Sequence, residues 1–229
     1  MKLQIIEGHD GTGKTTFSHR LLDYYLGEGL RAERLKFPTS YPSDELLSRP
    51  TDLMLYYLND FREALSAYRG RSDVDILVVD RSFISTMVYQ GFREVEGVDT
   101  LDENALRTIA VLGSRLFTEG LDLDTVEIVF MECHLTEAMS RIIDRDAEVK
   151  DSLERMPLEE MTHKVRTLKD RYTLVKNIFA YDWYSPLQPG GNAIEGARVL
   201  TIDTTRMNPE EVVLFYVSVI EGCERGVWS

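Results

Sequence analysis

Short apolar runs alternate along the chain with longer amphipathic stretches, the pattern of a layered βαβ fold. LQIIEG (3–8) reads as a short buried strand ending in glycine. A helix is predicted from Thr15 to about Glu28: Phe17, Leu21, Leu22 and Tyr25 share one face, and Gly27 or Gly29 stops it. ERLKFP (33–38) is a second strand closed by Pro38, and the apolar spacing over 52–69 suits a helix. DILVVD (75–80) is the clearest strand, a β-branched run ending in an acid. Helices follow over 83–92 and 103–119, then the strand VEIVFME (126–132) and helices over 136–145 and 157–180. RVLTID (198–203) is the last strand, and a closing helix covers 209–221 with Asn208 as N-cap and Pro209 at its first position. Two segments break the alternation, the charged run 146–156 and the Pro/Gly- and aromatic-rich run 181–197. Regular elements resume after both, so residues 1–229 read as one α/β domain with a flap rather than as two domains.

Charge narrows the function classes. The 229 residues carry 26 Lys and Arg against 39 Asp and Glu, a net charge of -13. A polyanion is repelled on average, so no nucleic-acid partner is expected. A small phosphorylated molecule remains compatible, because a few local cations outweigh a distant field within about a Debye length. The two cysteines, Cys133 and Cys223, form no disulfide framework, and Cys133-His134 lacks a second ligand pair at zinc spacing. No run approaches 18 apolar residues and the N-terminal run is too short for a signal peptide, so the expectation is a cytoplasmic protein with no membrane partner.

The most informative residues stand first. Gly8, His9, Asp10, Gly11, Thr12, Gly13, Lys14 and Thr15 fit G-x-x-x-x-G-K-[ST] between a strand and a helix, and Thr16 follows. Glycines let successive N–H groups converge on phosphate oxygens, and the helix N-terminus adds its dipole. Lys14 would reach the β- and γ-phosphates of ATP and the Thr15 hydroxyl would ligate Mg²⁺. Asp80, ending its strand, is placed to hold a magnesium-bound water, since ligands of open α/β sheets gather at the carboxyl ends of strands. The plainer reading of Asp80-Arg81 is a helix-capping acid beside a surface arginine.

On these residues the chain resembles the thymidylate kinase family of nucleoside monophosphate kinases. The family's EGxDGxGKTT appears as Glu7 to Thr16, and its DRYxxSxxAYQG as Asp80-Arg81-Ser82-Phe83-Ile84-Ser85-Thr86-Met87-Val88-Tyr89-Gln90-Gly91 without a gap. Phe37-Pro38, Arg62-Glu63, LTEAMSRIIDR (135–145) and VLTID (199–203) extend the likeness over most of the chain. The resemblance implies a three-layer P-loop kinase fold, with a parallel sheet of about five strands flanked by helices and a short lid over about 136–156. It implies transfer of the ATP γ-phosphoryl group to dTMP or a related pyrimidine deoxynucleotide, with Mg²⁺ held by Thr15 and Asp80, in a homodimer. Lys14, Asp80, Arg141 and Arg145 would be catalytic. Asp10, Phe37, Leu58, Arg62, Arg81, Ser85, Thr86, Tyr89 and Gln90 would meet the acceptor. Gly11 stands where some members carry a catalytic arginine, so Arg141 and Arg145, four apart on one helix face, are expected to swing over the phosphates from the lid.

Departures keep other readings open. Thr39-Ser40 follows Phe37-Pro38 where the family often has an arginine, Leu58 replaces a stacking aromatic, and Ser82 replaces the usual tyrosine. Asp80-Arg81-Ser82 leans toward the Glu-Arg-Ser of deoxynucleoside kinases, so a deoxynucleoside kinase is the alternative. A non-catalytic nucleotide-binding protein is the third reading. His19 and His163 read as surface or packing residues, Tyr56, Tyr57 and Tyr68 as core, and the run around Glu148–Glu154 as a solvated flap.

Overall fold

A computed structural model of the chain describes residues 1–118, 121, 123–144, 156–180 and 197–224. Its elements run β1 (Lys2–Glu7), α1 (Lys14–Gly27), β2 (Ala32–Lys36), α2 (Asp44–Leu47), α3 (Pro50–Ser66), β3 (Ile76–Asp80), α4 (Phe83–Gln90), β4 (Phe92–Val95), β5 (Val98–Leu101), α5 (Glu103–Thr118), β6 (Thr125–Glu132), α6 (Leu135–Ile143), α7 (Leu158–Ala180), β7 (Arg198–Asp203) and α8 (Pro209–Glu224). Five strands form a parallel sheet in the order β2-β3-β1-β6-β7. The α/β, five-stranded expectation therefore holds.

The inner strands β1, β3 and β6 read as largely apolar runs because both of their faces are covered. Leu3, Ile5, Leu77, Val79, Ile128 and Phe130 pack on one face with Phe61, Phe83, Ile109 and Val175 from α3, α4, α5 and α7. The alternate residues Ile6, Val78, Val129, Met131 and Ile202 pack on the other with Phe17 and Leu21 of α1 and Val212 and Tyr216 of α8. Gln4 reinforces that second layer: its amide donates to the hydroxyls of Tyr25 (2.8 Å) and Tyr216 (2.6 Å) and to Glu127 (2.9 Å). A smaller cluster of Cys133, Ala138, Met139, Ile142, Met161 and Val165 joins α6 to α7.

One region departs from the sequence reading. The helix expected over 83–92 ends at Gln90, and an antiparallel hairpin of β4 and β5 occupies 92–101. Glu96 (φ 53) and Gly97 (φ 76) make its two-residue turn, the left-handed pair that matches hairpin twist. The Glu-Gly pair and the short polar strands hide this hairpin from periodicity. The short α2 is also absent from the sequence reading.

Candidate active site

The phosphate loop links β1 to α1 and is shaped by contact with its neighbours. A Cβ on Gly8 would lie 2.4 Å from the Met131 carbonyl oxygen, and one on Gly11 would lie 2.5 Å from that of Ala138, at φ 148 and φ 82. Neither position accepts a side chain. The His9 carbonyl turns inward and accepts from Lys14 Nζ (2.7 Å) and Thr12 Oγ1 (2.8 Å). Burial, reinforced by Arg81, brings the Lys14 amine down to about 7, while Asp10, Asp80 and Glu7 oppose the shift. The His9 ring is buried with Nδ1 2.8 Å from the Asp10 carbonyl oxygen, and burial holds it at about 4, so it is neutral at pH 7. Thr15 and Thr16 are exposed on the first turn of α1.

Asp80 is buried at the end of β3 on the sheet face that α1 covers, as the parity with Val78 requires. Its Oδ2 accepts from Arg34 Nη2 at 2.6 Å, a partner that sequence reading missed. No group of three or more His, Cys, Asp or Glu side chains able to hold a metal occurs among the described residues. The Thr15 hydroxyl and the Asp80 carboxylate do fit Mg²⁺, which takes oxygen ligands, keeps several waters and needs few protein ligands.

On the opposite face Glu7 is fully buried and collects donors. Ser82 N (2.7 Å) and Oγ (2.8 Å) donate to Oε1, and Ser85 Oγ (2.8 Å) and Tyr172 OH (3.3 Å) to Oε2. Burial raises its pKa, and the Ser85 and Ser82 donors with Arg81 pull it back. Above this cluster Arg81 adopts φ 73, a left-handed conformation that costs a non-glycine residue about 1–3 kcal/mol. Its Nη2 donates to Asp10 Oδ1 at 2.6 Å, its Nη1 lies 3.4 and 3.3 Å from the hydroxyls of Tyr89 and Tyr172, and its guanidinium lies 5.8 Å from the Tyr89 ring centroid. Tyr172, on α7, was not legible as a site residue, because its sequence spacing marks it only as core.

The expected acceptor residues divide. Asp10, Arg81, Ser85, Thr86, Tyr89 and Gln90 lie along the phosphate loop, the end of β3 and α4. The Gln90 amide is half-buried and makes no hydrogen bond among the described residues, and Thr86 Oγ1 is buried without a partner. Phe37 is buried and meets Phe61 (5.1 Å) and Tyr57 (6.1 Å) edge-on. Leu58 is buried within the hydrophobic core. Arg62 is exposed and donates to Asn59 Oδ1 at 2.5 Å, while Asp60 of the same helix meets the loop after β2. Buried Asp60 accepts from Thr39 N (2.8 Å), Thr39 Oγ1 and Ser40 Oγ (3.1 Å), fixing the segment where an arginine was missing.

A cleft of about 280 Å³ opens beside the loop, lined by Thr12, Gly13, Thr16, Phe17, Arg141 and Thr204 among others. Arg141 forms part of its wall. Its Nε donates to Glu137 (2.9 Å), Nη1 to Thr204 Oγ1 (3.1 Å) and Nη2 to the Thr204 carbonyl (2.7 Å). Thr204 Oγ1 also lies 3.0 Å from the Thr12 carbonyl, so the loop after β7 ties this arginine to the phosphate loop. A free swing of Arg141 is not what the geometry presents. Arg145, residues 146–155 of the expected flap and residues 181–196 lie outside the described residues. Among the described residues no helix is long and apolar enough to cross a membrane.

Residues 6–110, which contain the phosphate loop, Phe37-Pro38, Asp80-Arg81 and Tyr89-Gln90-Gly91, match the family model of thymidylate kinase. No curated protein sequence matches the chain. Among solved structures, a thymidylate kinase from Candida albicans aligns with TM-score 0.60 and 15% identity, over 97% of this chain and 92% of that one. A deoxyadenosine kinase from M. mycoides, solved with bound dATP, aligns with TM-score 0.56 and 16% identity, over 96% of this chain and 100% of that one. At these identities the structural likeness shows the fold.

Proposed function

We propose that this chain, whose residues 6–110 match the family model of thymidylate kinase, transfers the ATP γ-phosphoryl group to a pyrimidine deoxynucleoside 5′-monophosphate. That match, with the fold shared with a thymidylate kinase and a deoxyadenosine kinase, supports an ATP-dependent phosphotransferase acting in nucleotide chemistry. The finer assignment rests on Arg81. A guanidinium held against Asp10 by a charge-assisted bond, and fixed in a strained backbone conformation, is a preorganised monophosphate grip at the carboxyl edge of the sheet.

In this reading an acceptor phosphate oxygen attacks the γ-phosphorus as the bond to the β,γ-bridging oxygen breaks, and ADP carries that oxygen away. Positioning and cationic stabilisation suffice, since no covalent intermediate with the protein is required. Lys14 would meet the β- and γ-phosphates, and the loop N–H groups and the N-terminus of α1 would bind the same oxygens. Arg141 would border the nucleotide in the 280 Å³ cleft. Thr15 and Asp80 would hold Mg²⁺, which supplies charge neutralisation on the phosphates. Ser85, Thr86, Tyr89 and Gln90 would surround the acceptor's sugar and base. A single domain with a lid over about 136–156, a homodimer and a cytoplasmic location belong to the same proposal.

A second reading, a deoxynucleoside kinase, is favoured by one observation: Thr39-Ser40, which follow Phe37-Pro38, bring no cation to the segment and are instead tied to Asp60. A panel of nucleosides and nucleoside monophosphates in a coupled ADP-release assay separates the two. ADP release with pyrimidine deoxynucleotides is expected; release with nucleosides alone would replace the first reading by the second.

A further inference from the structure

We propose that Arg34 is a positioning residue that ties together, in one hydrogen-bonded chain, the Asp80 carboxylate and the main chain of Thr15, the two residues assigned to the metal side of the phosphate site. The chain is short and largely enclosed. Arg34 Nη2 donates to Asp80 Oδ2 at 2.6 Å, and Arg34 Nε donates to Ser18 Oγ at 2.8 Å. Ser18 Oγ in turn donates to the Thr15 carbonyl at 2.9 Å. The Arg34 side chain is 13% exposed and that of Asp80 2%, so both charges have left water and each depends on the other.

The geometry follows from the sheet. β2 and β3 are parallel with Arg34 opposite Val78 and Lys36 opposite Asp80, so Arg34 lies one step below the end of β3 on the same sheet face as Asp80. That face is covered by α1, and Ser18 lies one turn beyond the phosphate loop. A guanidinium presents its donors in a rigid fork, so one side chain can satisfy a carboxylate on the sheet and a hydroxyl on the helix together. A lysine at 34 could reach one partner as a point charge but could not bridge both. With Oδ2 taken, Asp80 has Oδ1 to offer a magnesium-bound water, and its rotamer is set before nucleotide arrives.

The proposal rests on the reading of the phosphate loop as a Mg²⁺–nucleotide site. Partners that orient a metal's ligands typically change metal affinity or activity by roughly 10–100-fold when removed. The test uses the full chain with ADP and Mn²⁺ as a spectroscopic substitute for Mg²⁺, titrated by electron paramagnetic resonance alongside steady-state kinetics. Arg34→Met is expected to weaken Mn²⁺ binding to the protein–ADP complex by roughly 10-fold and to lower kcat by a similar factor, with the ATP KM within about 2-fold. Ser18→Ala, which leaves the ion pair intact, should weaken Mn²⁺ binding in the same direction by a smaller factor. Arg34→Lys should restore thermal stability without restoring Mn²⁺ affinity. If Arg34→Met does not fold, the Lys and Ser18→Ala variants carry the test unaided.

Arg34 as mere charge compensation for a buried acid makes a different demand: lowered Tm with Mn²⁺ affinity and kcat within about 2-fold of wild type. That result, or full recovery of Mn²⁺ affinity in Arg34→Lys, overturns the proposal alone. A wild-type protein that takes up no Mn²⁺ in the presence of ADP overturns the proposal together with the phosphate-site reading beneath it.

Discussion

Arg81 Nη2 stands 2.6 Å from Asp10 Oδ1, joining the end of β3 to the phosphate loop across parallel strands β1 and β3. The Arg81 backbone N–H donates to the Ile6 carbonyl at 3.0 Å, which helps hold its left-handed conformation. Glu7, immediately before the loop, anchors the N-cap serine of α4 that follows Arg81. The grip is therefore built from both sides. Arg81→Lys should raise the acceptor KM by roughly 10-fold or more while the ATP KM changes by less than about 3-fold, because a point charge cannot reproduce a forked contact. Steady-state kinetics with each substrate varied separately measure this. Equal changes in both KM values would remove Arg81 from the acceptor.

Lys14 gives a pH signature. Burial lowers its pKa from 10.5 to about 7. Between those values the unfolded chain binds more protons than the folded one, so this group's contribution to stability rises as the pH climbs through that window. Phosphates restore the charged form, so nucleotide binding at pH 8 should take up close to one proton, and at pH 6 close to none. Calorimetry in two buffers of different ionisation enthalpy counts that proton. Lys14→Met should abolish the uptake. No uptake by wild type at pH 8 would mean that Lys14 does not meet the phosphates.

Gln90 and Thr86 occupy successive turns of α4, and among the described residues the half-buried amide and the buried Oγ1 have no hydrogen-bond partner. A polar group left unpaired by the wrong base costs about 1–3 kcal/mol. Gln90→Ala should therefore reorder the kcat/KM ranking of bases by roughly 5- to 150-fold, with little change in Tm. An unchanged ranking would locate the base elsewhere.

Much of this was legible in the sequence, for identifiable reasons. Strands buried on both faces leave continuous apolar runs, so β1, β3 and β6 were found by composition alone. The phosphate loop was found because Gly8 and Gly11 are sterically required and Lys14 and Thr15 follow at fixed spacing. The hairpin at 92–101 was not, since its strands are short, mostly exposed and joined by Glu96-Gly97. Arg34 and Tyr172 escaped because their roles depend on which residues sheet register and helix packing bring beside them.

Arg141 is anchored rather than free, with Thr204 and Glu137 holding its guanidinium in the wall of the cleft. Arg141→Ala should raise the ATP KM by roughly 10-fold, equivalent to about 1.4 kcal/mol of binding, and Thr204→Ala by a smaller factor. A fall in kcat with an unchanged ATP KM would instead make it a contact formed only in the transition state.

Whether the acceptor already carries a phosphate is decided by an internal competition. Enzyme, ATP and Mg²⁺ are mixed with equimolar thymidine and dTMP, and thymidine, dTMP, dTDP and ADP are separated and quantified by anion-exchange chromatography. Formation of dTDP and ADP in equal amounts, with thymidine left unconsumed, is the expected result. Thymidine consumed to dTMP and ADP with no dTDP formed would contradict a phosphorylated acceptor.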